Sequence, residues 1–218
     1  YQKGAAVLRM LEQHLGTAPF RAGIRHYLTR YQYANTETND LWDALEAVTH
    51  APARRVMDAW IFQRGYPLVS VDHTAPGRLT LHQQRFCFTP GDDGEATMWP
   101  VPVSLRYSAN GQVHARSELL EAAAVVLDLG PALEWAVVNA GGHGFYRVRY
   151  AAPLLHRLTP VMMHQLAPIE RYGLVDDTWA AVLAGTTSAR AFVDFAQGFG
   201  EETDLDVWTV LARGLGHL

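Results

Sequence analysis

Histidines are the residues in this 218-residue sequence with the clearest potential for chemistry, because an imidazole can bind a metal or move a proton near neutral pH. The zinc motif His-Glu-x-x-His, which places two ligands and a general base on one helix, does not occur. A histidine outside such a pattern is more often a surface or hydrogen-bonded residue than a ligand. The sequence therefore predicts no metal site built from its own residues. The ten histidines are His14, His26, His50, His73, His82, His114, His143, His156, His164 and His217.

The adjacent carboxylates Asp176 and Asp177 are a second candidate, because two acids at one site can share a proton. Neighbouring positions on a helix point in different directions, so we expect a helix-face or capping role instead of an acid–base pair. Gly141-Gly142 resembles a phosphate loop only in composition. It lies between two predicted strands and is interpreted as a flexible turn. No nucleophile elbow or dinucleotide fingerprint occurs.

Charge and composition exclude several classes of function. The net charge is −4, the isoelectric point is near 6.2 and there is no basic run, so the basic face that nucleic-acid binding needs is missing. No apolar run reaches the roughly 20 residues of a membrane-spanning helix. The single cysteine, Cys87, excludes an internal disulfide and a cysteine-based zinc cluster, and its strand-like setting predicts a buried, inert thiol.

The first part of the chain is predicted to be helical. In residues 1–67, apolar side chains recur at helical spacing in four runs, which glycines, a polar loop and Ala51-Pro52 separate. The third helix is predicted to start with Thr38 as its N-cap. Asp40 then falls in the first turn, where the helix dipole favours an anion.

The middle of the chain, residues 68–150, is predicted to form short strands. The segment 101–107 alternates apolar and other residues, the pattern of a half-buried strand. Asn110-Gly111 predicts a tight hairpin, and a further turn is predicted over residues 90–94. Several short strands with closely spaced turns indicate a small antiparallel β-sandwich.

From Ala151 onward the helical period returns. Ser188 is the predicted N-cap of a helix that ends near Ala196. Four tryptophans fall on apolar helical stripes and are predicted to lie in the core instead of on a binding surface. They are Trp42, Trp60, Trp179 and Trp208.

Four stretches resemble motifs of the M1 family of zinc aminopeptidases, and together they cover nearly all of the chain. Two looser points of similarity are Arg171 and the pair Glu201 with Trp208, and one departure is Arg149, where the family usually has Asn. The four stretches are Tyr1-x-Lys3-Gly4-Ala5, Asn35-x-x-x-Asn39-Asp40-Leu41-Trp42, Met57-Asp58-x-Trp60-x-x-Gln63-x-Gly65-Tyr66-Pro67-Leu68-Val69-x-Val71 and Gly144-Phe145-Tyr146-Arg147-Val148-x-Tyr150.

The resemblance implies a multidomain protein of the mixed α and β class. Residues 1–67 would be the last helices of a thermolysin-like catalytic domain. Residues 68–150 would be a small antiparallel β-sandwich, and residues 151–218 would be the first helices of a C-terminal helical-repeat domain. The changes of periodicity described above fall at the same places.

For the active site, the resemblance carries over one residue only. Tyr1 matches the family's catalytic tyrosine, whose phenol donates a hydrogen bond to the oxyanion during peptide hydrolysis. The family's zinc ligands and general base lie upstream of that tyrosine, so no metal or cofactor ligand is assigned on this chain. The resemblance implies zinc in a longer parent protein, a peptide substrate, and an upstream catalytic half as the intramolecular partner.

The expectation for function is accordingly a fragment of a zinc aminopeptidase, inactive by itself, with a cytoplasmic, bacterial origin. A non-catalytic interaction scaffold related to the family is the alternative. A free-standing sandwich module with a binding function is a third possibility, disfavoured because such a module would not carry partial helical layers on both sides.

Overall fold

The computed structural model describes residues 1–89 and 97–218, and the turn predicted over residues 90–94 lies outside the described residues. Within the described ranges the chain forms helices, then strands, then helices. The helices are α1 (Gln2–Leu15), α2 (Thr17–Arg30), α3 (Thr38–Thr49), α4 (Ala53–Phe62), α5 (Ala152–Leu158), α6 (Met162–Gln165), α7 (Pro168–Leu183), α8 (Ala189–Ala196) and α9 (Leu205–Gly216). The strands are β1 (Pro67–Ala75), β2 (Arg78–Arg85), β3 (Val101–Ala109), β4 (Gln112–Leu120), β5 (Ala124–Asp128), β6 (Leu133–Val138) and β7 (Arg147–Tyr150).

This order of helices, strands and helices confirms the predicted fold class. The exact limits of the three units, at residues 67/68 and 150/151, stay predictions. None of the helices in the described ranges is long and apolar enough to cross a bilayer.

The first four helices pack on the sandwich through their apolar sides. Val7, Met10 and Leu11 recur at spacings of three and one on α1, so they face the same side, and all three are buried. Trp60 of α4 is fully buried, and its indole Nε1 donates to the carbonyl of Pro100, 3.1 Å away. The helical layer therefore shares one core with the strands.

The start of α3 differs from the prediction by one position. Thr38 is the first helical residue and Glu37 is the N-cap. Asp40 lies in the first turn as predicted, and its Oδ2 accepts the Glu37 N–H at 2.8 Å. A carboxylate in the first turn thus satisfies a backbone donor that the helix itself leaves unpaired.

The strands form two sheets that face each other. The four-stranded sheet has the order β5-β2-β1-β7, and the three-stranded sheet has the order β4-β3-β6. Alternation along the strands places one side of each sheet in the common core. Cys87 follows β2 and is half-buried, so the prediction of a buried thiol is wrong. The facing side chains include Val69, Val71, Leu81, Val103 and Leu105.

One pair of strands departs from the predicted antiparallel arrangement. β1 and β7 run parallel, with Val69 opposite Val148. The chain leaves the three-stranded sheet after β6 and crosses over to join the other sheet as its edge strand. Alternation along a strand carries no information about the direction of its partner, so this pairing could not be predicted locally.

Two hairpin turns allow a matched test of backbone strain. Gly77 and Gly111 both have φ of +71°, but a Cβ on Gly77 would lie 1.9 Å from the carbonyl oxygen of Gly130, whereas a Cβ on Gly111 meets nothing within 4 Å. We expect Gly111→Ala to lower the free energy of unfolding by about 1–2 kcal/mol because of the left-handed backbone. Gly77→Ala should cost about 1–3 kcal/mol more, because the new methyl group collides with backbone atoms. Urea denaturation of both variants measures the difference, and equal losses would contradict the predicted collision.

The last five helices cover the outer sides of both sheets. Trp135 and Val137 point away from the sandwich core and pack with apolar residues of α5 to α9, among them Val175. Farther along α7, Ala180 packs with Leu68 at the end of β1. Helix α7 therefore contacts both sheets and helps to hold the helices to the sandwich.

The tryptophan predictions are right for three residues and wrong for one. Trp42, Trp60 and Trp179 are buried, at 3%, 0% and 7% exposure. Trp208 is 44% exposed, and its indole Nε1 donates to the carbonyl of Glu202 at 2.8 Å. The indole of α9 is thus held at the surface by a hydrogen bond.

Candidate functional site

Tyr1 lies directly before α1, at its N-cap, and its side chain is fully exposed. Its carbonyl accepts the Ala5 N–H at 2.9 Å, which ties the backbone of the residue into the first turn of the helix. The backbone of Tyr1 is therefore held by α1, while its side chain and hydroxyl stay accessible. The catalytic role of Tyr1 stays a prediction.

An apolar groove of about 240 Å³ runs beside Tyr1, between α1, α3 and α4. Lys3 stands at its edge, and its Nζ lies 3.4 Å from the carbonyl of Gln63 at the end of α4. The indole Nε1 of Trp42 is buried there and has no acceptor in the part of the chain that the structure describes. The groove can hold an apolar group. It is lined by Lys3, Gly4, Val7, Leu8, Trp42, Met57, Trp60 and Ile61.

Zinc has no ligand set among the described residues. Across residues 1–89 and 97–218, no three side chains of His, Cys, Asp or Glu stand close enough to hold a metal ion.

A second polar site lies where β7 passes beneath α7. Arg147 Nη1 donates to Asp176 Oδ2 at 2.7 Å and to Asp177 Oδ1 at 2.9 Å. Asp177 Oδ2 accepts the N–H of Val148 at 2.9 Å. One arginine thus binds both adjacent carboxylates, and the expectation that they do not form an acid–base pair stays a prediction. They leave the helix in different directions, but an arginine from another element lies between them.

The environment of Asp177 favours its neutral form. Burial raises the pKa of this carboxyl to about 7, although Arg147 and the Val148 N–H favour the carboxylate. The guanidinium of Arg147 also lies over the ring of Phe86, 5.4 Å from its centroid. The contact between β7 and α7 is thus held by one guanidinium that serves two acids and an aromatic ring.

The raised pKa of Asp177 predicts a dependence of stability on pH. Its folded value, about 7, is above the reference value of 3.8, so between these values the folded state holds a proton that the unfolded state releases. The contribution to the free energy of unfolding should therefore fall as pH rises from 4 to 7, by at most about 1.4 kcal/mol per pH unit, and stay constant above 7. Asp177→Asn should remove this slope, so the variant gains stability relative to the parent between pH 5 and pH 8.

Urea denaturation at several pH values measures the effect. The matched control is Asp194→Asn, which removes an exposed carboxylate 3.6 Å from Arg190. Its pH profile should run parallel to that of the parent chain, because an exposed pair contributes little. A profile for Asp177→Asn that also runs parallel would contradict the assignment.

The first turn of α7 carries two buried charged residues, Glu170 and Arg171, and each binds a partner in a different element. Glu170 forms an ion pair with Arg106 on β3, and its Oε1 accepts the Gly141 N–H at 2.9 Å. The glycines at 141 and 142 have φ of +80° and +67°, which agrees with the predicted turn. Glu170 therefore fastens this turn and the sandwich to α7.

Arg171 points the other way, toward the start of α9. Its Nε and Nη2 donate to the two carboxylate oxygens of Glu202 at 2.6 and 2.8 Å, and its Nη1 donates to the carbonyl of Leu166 at 2.6 Å. Glu202 Oε1 also accepts the N–H groups of Thr203 and Asp204, both at 2.9 Å. The hydrogen bond from Arg171 lowers the pKa of Glu202 to about 2, so the pair is charged at neutral pH.

Comparisons with known proteins match the two ends of the chain to two families. The model of the Peptidase family M1 domain matches residues 1–60, and that of the ERAP1-like C-terminal domain matches residues 135–218. A puromycin-sensitive aminopeptidase of Caenorhabditis elegans is 34% identical over 224 residues, covering 100% of this chain. This chain belongs to the M1 peptidase family.

Two further relatives show how widely this part of M1 peptidases is shared. Aminopeptidase M1 of Arabidopsis thaliana is 34% identical over 98% of the chain and 25% of its own length. The Tricorn protease-interacting factor F2 of Thermoplasma acidophilum is 34% identical over 94% of the chain and 24% of its own length. The chain spans about a quarter of the length of the curated relatives it matches.

Proposed function

We propose that this chain is part of a zinc aminopeptidase that removes residues from the N-termini of peptides. Its similarity to proteins named as aminopeptidases along nearly the whole chain supports the reaction class. The observation that carries the proposal within the chain is Tyr1, an exposed tyrosine whose backbone is tied into the first turn of α1, inside the segment that matches the M1 domain.

In this proposal the phenol of Tyr1 donates a hydrogen bond to the oxygen of the scissile carbonyl as negative charge develops on it. Such a donor accelerates the reaction because it is held in place before the charge appears. In the proposal α1 holds the backbone from which the phenol projects, and the apolar groove lies along the first two turns of this helix. Zinc and its ligands belong, in the proposal, to a part of the protein outside these 218 residues.

A direct experiment compares the chain with a longer protein that carries this segment and the upstream sequence. The longer protein should contain about one equivalent of zinc and hydrolyse amino-acid arylamides, and a chelator should abolish the hydrolysis. The 218-residue chain should bind no stoichiometric zinc and show no turnover. A well-folded longer protein without zinc and without activity would favour the non-catalytic scaffold instead.

A cytoplasmic location in a bacterial cell is part of the same proposal. A cytoplasmic, bacterial protein was expected from the sequence, and the matched relatives include animal, plant and archaeal proteins. Fractionation of the source cells, followed by detection with an antibody against the chain, would decide the location.

A further inference from the structure

A cleft of about 370 Å³ lies between the edge strand β7 and the helices α5, α7 and α8, and we name it the β7–α8 cleft. It is large enough for a small organic molecule. Its lining combines aliphatic side chains with one arginine and several hydroxyl groups. The residues that define it include Arg149, Leu155, Leu174, Ala181, Thr187 and Ser188.

Arg149 lines this cleft and has no ion-pair partner in the described part of the chain. It follows Val148 on β7, so its side chain points away from the sandwich core while that of Val148 points into it. One of its five N–H groups, on Nη2, donates to the hydroxyl of Ser70 at 3.0 Å. No carboxylate in the described part of the chain lies within 4 Å of its guanidinium, whereas Arg147 on the same strand face has two.

The acid that lines the same cleft does not cancel this charge. Asp177 also lines the cleft, but its two oxygens are already bonded to Arg147 and to the backbone N–H of Val148. Burial favours the neutral form of this carboxyl. The free N–H groups of Arg149 therefore remain available to an acceptor that enters from outside.

The other walls restrict what that acceptor can be. Leu155 of α5 and Leu174 and Ala181 of α7 form an apolar side, and Thr187 and Ser188 add hydroxyl groups at the entrance to α8. A guanidinium binds a carboxylate in a planar, two-point geometry. An apolar wall next to it favours a ligand whose acid group carries an aliphatic substituent.

We propose that the β7–α8 cleft binds a small monocarboxylate that carries an aliphatic group, with the carboxylate on the guanidinium of Arg149 and the aliphatic group against Leu155 and Leu174. The site is independent of the proposed peptidase reaction, because it lies on the outer side of the sandwich sheet and uses neither Tyr1 nor the groove beside it.

The test uses N-acetyl-leucine as the probe and N-acetyl-leucinamide as its neutral counterpart. Isothermal titration calorimetry at constant ionic strength should show saturable binding of the acid to the 218-residue chain. The amide should bind at least about tenfold more weakly, because it cannot form the charged pair with Arg149. Equal binding of acid and amide would overturn the proposal. So would no binding of the acid at concentrations up to 20 times the Kd of a typical weak ligand, which is about 1 mM.

Two variants place the binding in this cleft. Arg149→Gln should lower the affinity for the acid at least about tenfold, whereas Arg157→Gln, which removes an exposed arginine of α5, should leave it unchanged within about twofold. Amide shifts in an NMR titration of the parent chain provide a measurement that does not depend on the folding of a variant. Shifts centred on Thr187 and Ser188 support the site, and shifts confined to other elements overturn it.

Discussion

Replacing Tyr1 by phenylalanine in a longer, active protein is expected to lower kcat about 100- to 1,000-fold, the usual effect of removing one donor to an oxyanion. The substitution deletes a single oxygen from an exposed ring, so neither the helix nor the groove beside it loses a contact. KM should stay within about threefold, because the hydrogen bond strengthens only as charge develops in the transition state. Steady-state kinetics with an amino-acid arylamide measures both constants.

The matched control is Tyr33→Phe, which removes the hydroxyl of another fully exposed tyrosine, located between α2 and α3. It should keep full kcat, since Tyr33 lies outside the groove beside α1. A fall in kcat with Tyr1→Phe that is matched by Tyr33→Phe would indicate a general effect on the protein. Unchanged kcat in Tyr1→Phe would remove Tyr1 from the reaction while leaving the assignment of the chain to its family intact.

The elements of the fold could be predicted from the sequence wherever local pattern decides them. Asn110 and Gly111 both adopt positive φ in the turn between β3 and β4, as their residue types indicate. Ser188 caps α8 and accepts the Ala191 N–H at 3.1 Å, as a serine before an apolar run indicates. In both cases the decisive interaction joins residues within three positions of each other.

Features that depend on distant partners could not be predicted in this way. The parallel pairing of β7 with β1 joins residues almost 80 positions apart, such as Val69 and Val148. The convergence of Asp176 and Asp177 requires Arg147, which reaches them from a different element. Trp208 follows an apolar spacing like the other tryptophans, and only the packing of α9 shows that its side of the helix is exposed.

The same distinction between local and distant interactions holds for the candidate site. The motif around Tyr1 predicts a catalytic phenol, but the sequence says nothing about the unpaired indole N–H of Trp42 in the groove beside it. Arg171 is a looser point of similarity to the family and Glu202 follows another, Glu201, yet their pairing spans 31 positions and appears only in the folded chain. A charged residue inside an apolar helical stripe is the one signal that could have suggested it, because such a charge is seldom buried without a partner.

That buried pair leads to the largest expected effect on stability. Arg171→Met should lower the free energy of unfolding by about 3–5 kcal/mol, because it leaves the carboxylate of Glu202 buried without its guanidinium. The double variant Arg171→Met with Glu202→Leu should lose less than the single variant, since no uncompensated charge then remains. The control Arg190→Met breaks an exposed pair with Asp194 and should cost at most about 1 kcal/mol.

The dependence of the free energy of unfolding on pH distinguishes the contribution of the ion pair from that of packing by the arginine side chain. The pKa of Glu202 is lowered to about 2 from a reference of 4.5, so the stabilisation is complete above 4.5 and is lost as pH falls toward 2. Urea denaturation should show this acid loss in the parent chain and a smaller one in Arg171→Met, whose Glu202 no longer has the partner that lowers its pKa. If the two profiles instead run parallel, the cost of Arg171→Met comes from lost contacts of the arginine stem. The link between α7 and α9 would then be apolar, and the charge on Glu202 would contribute nothing to it.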